Sequence, residues 1–276
     1  MTTTGICART LFLLFLLSND FDDPDRDLKL TDPSLSDYQA YNSIMNLQSV
    51  PFSAERYRGD GKLHILLAAS GSVATIKLPN IAEALGKHKN VSIRIIVTNS
   101  AANFLDGQST EQPPLDSLVN IDGVDALYQD EDEWMPTWKR GSHILHIELR
   151  KWCDVLLVAP CSANTLAKMA MGFADNLLLS VIRAWDTTGM IDIEFKPQKP
   201  MLFVAPAMNT AMWRHPVTQK HLRILQDEWG AGTTNENGWV TVLSPITKEL
   251  MCGDVGDGAM MDWRDIVRTI ETYLKL

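Results

Sequence analysis

Side chains able to do chemistry gather in a few short segments of this sequence, most of them directly after apolar runs. Gly71-Ser72-Val73, leading to Lys77, is the first. A glycine there lets the backbone approach a ligand closely, and free amides at the start of a following helix suit a phosphate. The segment lacks a full GxGxxG, so it is no dinucleotide fingerprint, and Lys77 reads equally as a helix-surface lysine. Thr98-Asn99-Ser100 supplies hydroxyls and an amide after a second run, a pattern that taken singly also reads as an N-cap. Pro160-Cys161-Ser162-Ala163-Asn164-Thr165 and Pro206-Ala207-Met208-Asn209-Thr210-Ala211-Met212-Trp213 each place a proline at the end of a run and an Asn-Thr pair behind it. Capping explains Ser or Thr at such positions but not the likeness of the two segments. His143 and His146 precede a further run; an imidazole exchanges protons near neutrality, yet an isolated histidine is as readily structural. Cys252, in Cys252-Gly-Asp-Val-Gly-Asp-Gly-Ala-Met260, reads by itself as a buried or incidental thiol.

The runs between these segments are the elements that must position them. His64 to Ala69, Val91 to Thr98, Asp154 to Ala159 and Pro200 to Ala205 are short, apolar and in part β-branched, and Trp239 to Leu243 adds a weaker strand. Helical spacing is predicted over about Ala74 to Gly86, in one long stretch from Thr165 to Trp185, over Val217 to Trp229 and over Trp263 to Lys275, with another helix opening at Ala101 to Leu105. Continuous apolar strands alternating with helices predict an α/β, Rossmann-like (flavodoxin-like) three-layer fold, a parallel sheet covered on both faces. In such sheets chemistry sits beyond the carboxyl ends of the strands. Two stretches break the alternation. Asp106 to Arg140 is long and acidic, with Asp130-Glu-Asp-Glu133 flanked by Tyr128, Trp134 and Trp138, and is expected as a solvated surface loop whose aromatics pack on a neighbour or over a site. Gly189 to Lys199 reads as a polar connection.

Composition narrows the classes. Among 276 residues, 25 basic against 34 acidic side chains leave a net charge of −9, which argues against a nucleic-acid binder. No run of ~18–20 apolar residues is present, so no membrane-spanning helix is expected. Four cysteines (Cys7, Cys153, Cys161, Cys252) are too few and scattered for a disulfide framework; no metal site is expected, and the chain is read as cytoplasmic. Leu11 to Leu17 resembles a short signal-peptide core, but no small-x-small cleavage pair follows before Ser18-Asn19-Asp20. Residues 1–61 are polar and Asp/Ser/Pro-rich with little periodicity and are expected to form a flexible arm, ahead of one domain over 62–276.

Taken in order, His146-Ile-Glu-Leu149, the Pro160 and Pro206 segments and the Cys252 segment resemble the phosphopantothenoylcysteine-decarboxylating branch of the homo-oligomeric flavin-containing cysteine decarboxylases, from about Lys62 to Leu276. The resemblance implies FMN as cofactor and conversion of 4'-phospho-N-pantothenoylcysteine to 4'-phosphopantetheine in coenzyme A biosynthesis. It implies FMN contacts from Gly71, Ser72, Val73, Thr98, Asn99, Ser100, Ser162, Ala163, Asn164, Thr165 and Ala207. His146 would be the active-site histidine, Asn209 the donor to the substrate carboxylate, and Cys252 the acid that protonates an enethiolate. Met212, Gly253 and Asp254 would complete the substrate site, and Gly253, Gly256 and Gly258 a mobile flap. The implied assembly is a homotrimer with sites between subunits, although some fungal relatives divide these residues among different chains, so a hetero-oligomer also fits. Two alternatives go with it. A peptidyl-cysteine oxidative decarboxylase stops at the enethiol and needs no reducing cysteine, which the Cys252-Gly-Asp motif argues against. A non-catalytic phosphatase-inhibiting subunit carries a long acidic tail, whereas this sequence ends at Leu276 after a predicted helix.

Overall fold

Strands β1 (Leu63–Ala69), β2 (Val91–Val97), β3 (Val124–Tyr128), β4 (Val155–Cys161), β5 (Met201–Pro206) and β6 (Val240–Val242) pair in parallel in the order β3-β2-β1-β4-β5-β6. The computed structural model describes residues 52–196, 198–231, 237–249 and 255–276. The flexible arm expected over residues 1–61 lies outside these up to residue 51. Within β1, β2, β4 and β5 nearly every side chain is buried, and successive residues feed opposite faces. Ile65, Leu67, Ile93 and Leu157 enter one core with helices α1 (Leu78–Gly86) and, from the C-terminus, Trp263–Leu274. Leu66, Ala68, Leu156 and Val204 enter the other, against α3 (Leu145–Trp152), α4 (Ala163–Met171), α5 (Leu177–Arg183) and α7 (Pro216–Arg223). Two short helices, α2 (Asn99–Ala102) and α6 (Thr210–Arg214), follow β2 and β5, and Trp263–Leu274 is α8. The predicted three-layer parallel fold is present.

Three differences have local causes. The predicted Thr165–Trp185 helix is two helices: Gly172 at φ 75° ends α4 in the left-handed conformation, and the Asn176 side chain restarts α5 by accepting from the Leu179 amide at 2.8 Å. Strand β3 emerges inside the stretch expected as an acidic loop. As an edge strand it has one neighbour and one buried end, so its apolar signal is short. Finally, packed structure begins ahead of Lys62. Ala54 is buried, its amide donating to Glu148 Oε2 at 2.8 Å, and Phe52, Tyr57 and Trp152 surround the buried Arg94 guanidinium at 4.0, 4.9 and 5.1 Å from their ring centroids. Aromatic anchors spaced for one cation leave no periodicity to read.

The polar connection before β5 is folded around a carboxylate. Asp186, 1% exposed, accepts from the amides of Thr188 (3.1 Å), Gly189 (2.8 Å), Ile191 (2.8 Å) and Asp192 (3.1 Å) and from the Thr188 hydroxyl (2.8 Å). Asp192 in turn receives Arg150 Nη2 at 2.8 Å. Burial pushes the Asp186 carboxyl up, but the convergent donors outweigh it and hold the group down at about 2, against an ordinary 3.8. A carboxyl depressed in the folded state stabilises above its unfolded value, and that contribution is lost as pH falls from about 4 toward 2, worth about 2 kcal/mol. Asp186→Asn is therefore expected to lower the thermal midpoint at pH 7 and to flatten the loss of stability between pH 4 and 2. An unaltered acid limb in a denaturation series would contradict this.

Candidate active site

Connections in a parallel sheet run back antiparallel to the strands, so each helix after a strand starts at the sheet's carboxyl edge. The four loops singled out in the sequence therefore share one edge, and they share it side by side. They follow β2, β1, β4 and β5, four adjacent strands, and strand order reverses between β1 and β4, where open α/β sheets bind ligands.

Hydrogen bonds tie these loops together. Ser70, which the sequence reading passed over, donates its amide to the Pro160 carbonyl (3.0 Å) and takes the Ser162 amide on its hydroxyl (2.9 Å). The Ser162 hydroxyl reaches Thr165 Oγ1 at 3.2 Å and accepts the Thr165 amide, capping α4. Thr98 caps α2 and meets the Ser100 hydroxyl at 3.2 Å. The Ala207 amide donates to the Cys161 carbonyl at 2.9 Å. A Cβ on Gly71 would come within 2.6 Å of Ser100 Oγ, so glycine permits the first two loops to touch. The hydroxyls of Thr98, Ser162 and Thr165 are thus engaged in shaping the loops. Asn99, Ser100, Asn164 and Val73 are exposed, while Gly71, Ser72 and Ala163 are half-buried. Thr75, just beyond the first loop, is buried with no partner for Oγ1 among the described residues.

His146 lies in the first turn of α3, at the same carboxyl edge. Its Nδ1 is 2.8 Å from Glu133 Oε1. The acidic run is therefore no solvated loop, a correction to the expectation above. Asp130 accepts from the Leu177 amide (3.1 Å), Asp132 from the Gln129 amide (2.7 Å), and Glu131 from the Asn99 side chain (3.2 Å). Burial pushes the Asp130 carboxyl above its ordinary range despite the Leu177 amide. The spacing of the four carboxylates gave no sign that each has a separate partner. His143, more exposed, faces Glu148 at 3.4 Å. That carboxylate is pushed up by burial but held lower overall by the Ala54 amide and the Lys151 ammonium.

Asn209 caps α6 and is exposed. Its Oδ1 accepts from the amides of Ala211 (2.8 Å) and Met212 (3.3 Å), which orients the side chain so that Nδ2 faces outward as a donor. Met212 is half exposed beside it. Cys252, Gly253 and Asp254 lie outside the described residues; in sequence they fall between antiparallel β7 (Ile246–Glu249) and β8 (Val255–Ala259). Strand β8 packs on α6. The Met208 amide donates to the Gly258 carbonyl at 2.9 Å, and Arg214 pairs with Asp257 at 2.8 Å. A Cβ on Gly258 (φ 102°) would lie 2.7 Å from the Met208 carbonyl oxygen, and one on Gly256 would strike Thr210. These two glycines thus serve close packing, where the sequence reading expected mobility. Cys153 and Cys161 are buried in the core, and burial pushes the Cys153 thiol up to about 12 and Cys161 higher still, which removes both as reactive thiols.

Large apolar side chains are exposed along this edge: Val73, Trp134, Met135, Trp138, Ile144 and Met212. No helix among the described residues is long and apolar enough to cross a membrane.

Residues 53–275 match the Flavoprotein family. The sequence is 46% identical over 212 residues to a phosphopantothenoylcysteine decarboxylase of Arabidopsis thaliana, an alignment covering 77% of this chain and 85% of that protein. Among solved structures it is similar to a cysteine-to-serine mutant of a PPC decarboxylase complexed with pantothenoylaminoethenethiol (TM-score 0.62, 43% identity, 78% of this chain and 100% of the other). It is likewise similar to the FMN binding protein AtHal3 (TM-score 0.59, 42% identity, 78% and 97%).

Proposed function

The chain belongs to the Flavoprotein family, and on that premise we propose that the shared loop edge binds FMN and decarboxylates 4'-phospho-N-pantothenoylcysteine to 4'-phosphopantetheine, a step of coenzyme A biosynthesis. The observation that carries this reading is the meeting of four neutral, hydroxyl- and amide-rich loops at the β1/β4 reversal. Gly71, Ser72, Val73, Asn99, Ser100, Ala163 and Asn164 present close-approaching backbone and uncharged groups to a ligand, while Thr98, Ser162, Thr165 and Ala207, which border the same site, also hold the loops in shape.

The substrate poses an electronic problem. Losing carbon dioxide from an N-acyl cysteine leaves a carbanion with no neighbouring electron sink, and oxidising the thiol-bearing carbon to a thioaldehyde supplies one. Bound FMN provides a two-electron acceptor that returns the electrons afterwards, so the overall reaction is redox-neutral. The protein's share is binding and proton handling. Asn209 Nδ2 donates to the substrate carboxylate; an uncharged donor holds it without stabilising the anion so strongly that decarboxylation is opposed. His146 moves the proton at the thiol. Cys252 protonates the enethiolate, and Met212, Gly253 and Asp254 complete the substrate site. The related cysteine-to-serine mutant found with an aminoethenethiol supports a late role for a cysteine.

The assembly we infer is a homotrimer in the cytosol, with His146 of one copy meeting Asn209 and Cys252 of the next. Exposed apolar side chains in the segments that carry His146 and Asn209, among them Ile144 and Met212, support it, because apolar surface of this kind is what a subunit contact would cover. The purified chain is expected to be yellow and to release carbon dioxide from phosphopantothenoylcysteine. Cys252→Ser is expected to release carbon dioxide still, while accumulating an oxidised enethiol instead of phosphopantetheine, read by mass spectrometry. Ordinary phosphopantetheine yield from that variant would refute the proton-donor role.

A further inference from the structure

Glu133 presents a feature that substrate and cofactor binding leave unused. Its side chain is only 5% exposed, Oε1 is 2.8 Å from His146 Nδ1, and Oε2 has no partner among the described residues. A buried carboxylate so sparsely compensated is costly, and it is tolerated where a positive charge is formed beside it. The neighbouring pair shows the contrast. Glu148, facing His143, also receives the Ala54 amide and the Lys151 ammonium, and is compensated without any histidine. Glu133 is held in place by its turn. Gln129 and Asp132 cap one another reciprocally, Asp130 is anchored on the Leu177 amide, and Glu131 is anchored on Asn99 in the second loop.

We propose that Glu133 is the positioning residue for His146. By accepting the Nδ1 proton it fixes the imidazole in the tautomer whose bare Nε2 takes the substrate's thiol proton, and it then faces the imidazolium that results. The proton passes from sulfur to Nε2, and no other bond is involved. The proposal rests on the reading of His146 given above.

Nitrogen-15 spectra of the flavin-loaded protein labelled at histidine test the pairing without any substitution at Glu133, with His146→Asn used to assign the signal. The neutral ring is expected to carry its proton on Nδ1; a proton on Nε2 overturns the proposal, and this result decides alone if Glu133 variants fail to fold. Glu133→Gln, with flavin bound and melting temperature kept, is expected to lower kcat by roughly 100-fold or more with little change in KM, and Glu133→Asp to regain part of that loss. Full kcat in Glu133→Gln, beside an inactive His146→Asn enzyme, overturns this proposal alone. An active His146→Asn enzyme overturns the underlying reading and the proposal together.

Discussion

Replacing His146 by asparagine is expected to abolish carbon dioxide release while leaving flavin bound and the fold intact. The separation follows from where the residue sits. Helix α3 is anchored in the core by Leu149 and Trp152, at 0% and 3% exposure, whereas the His146 side chain, in the helix's first turn, is 24% exposed. None of the loops assigned to the cofactor includes it. What asparagine lacks is a ring nitrogen able to take up and return a proton, and general acid–base catalysis contributes about 10²- to 10⁴-fold. Carbon dioxide release, measured beside the flavin absorbance of the same sample, checks both halves. Full activity would show that proton transfer is placed elsewhere, with His143 the nearest other imidazole in the sequence.

Asn209→Asp is expected to be nearly as damaging for a different reason. Aspartate caps a helix as well as asparagine does, so acceptance from the Ala211 and Met212 amides survives and stability changes by less than about 0.5 kcal/mol. The outward Nδ2 donor becomes a second carboxylate oxygen facing the substrate's own. Losing one hydrogen bond to a charged group and adding like-charge repulsion costs roughly 3 kcal/mol or more, about 100-fold or more in kcat/KM. Asn209→Ala serves as a control: it removes the cap as well, about 1 kcal/mol of stability, but adds no repulsion. Steady-state kinetics with thermal melts of all three proteins separate the two effects. An Asp variant with normal kcat/KM would remove Asn209 from carboxylate recognition.

The places where expectation and structure part share a physical character. Strand β3 and the aromatic clamp on Arg94 are built by contacts between segments that carry no periodicity of their own, and the turn around Asp186 is a local set of amides closing on one carboxylate, which is equally aperiodic. Gly172 and Asn176, which divide the predicted long helix, were visible as a C-cap and an N-cap; helical composition on both sides hid them. The acidic run is the most consequential case. Charge density said only that it prefers water, while its four carboxylates each have a separate partner, one of them His146.

Local and periodic information was legible in the amino-acid order itself: buried strands alternating with helices, the loops after them, the caps, and the motifs that resemble a flavin-dependent cysteine decarboxylase. Those properties depend on residues near one another along the chain. Tertiary structure alone decided that the loops after β2, β1, β4 and β5 lie side by side, that Ser70 joins two of them, and that Glu133 meets His146 thirteen positions away. Strand order and side-chain meeting points arise from long-range packing of apolar faces that many sequences would satisfy in several ways, so no local pattern records them.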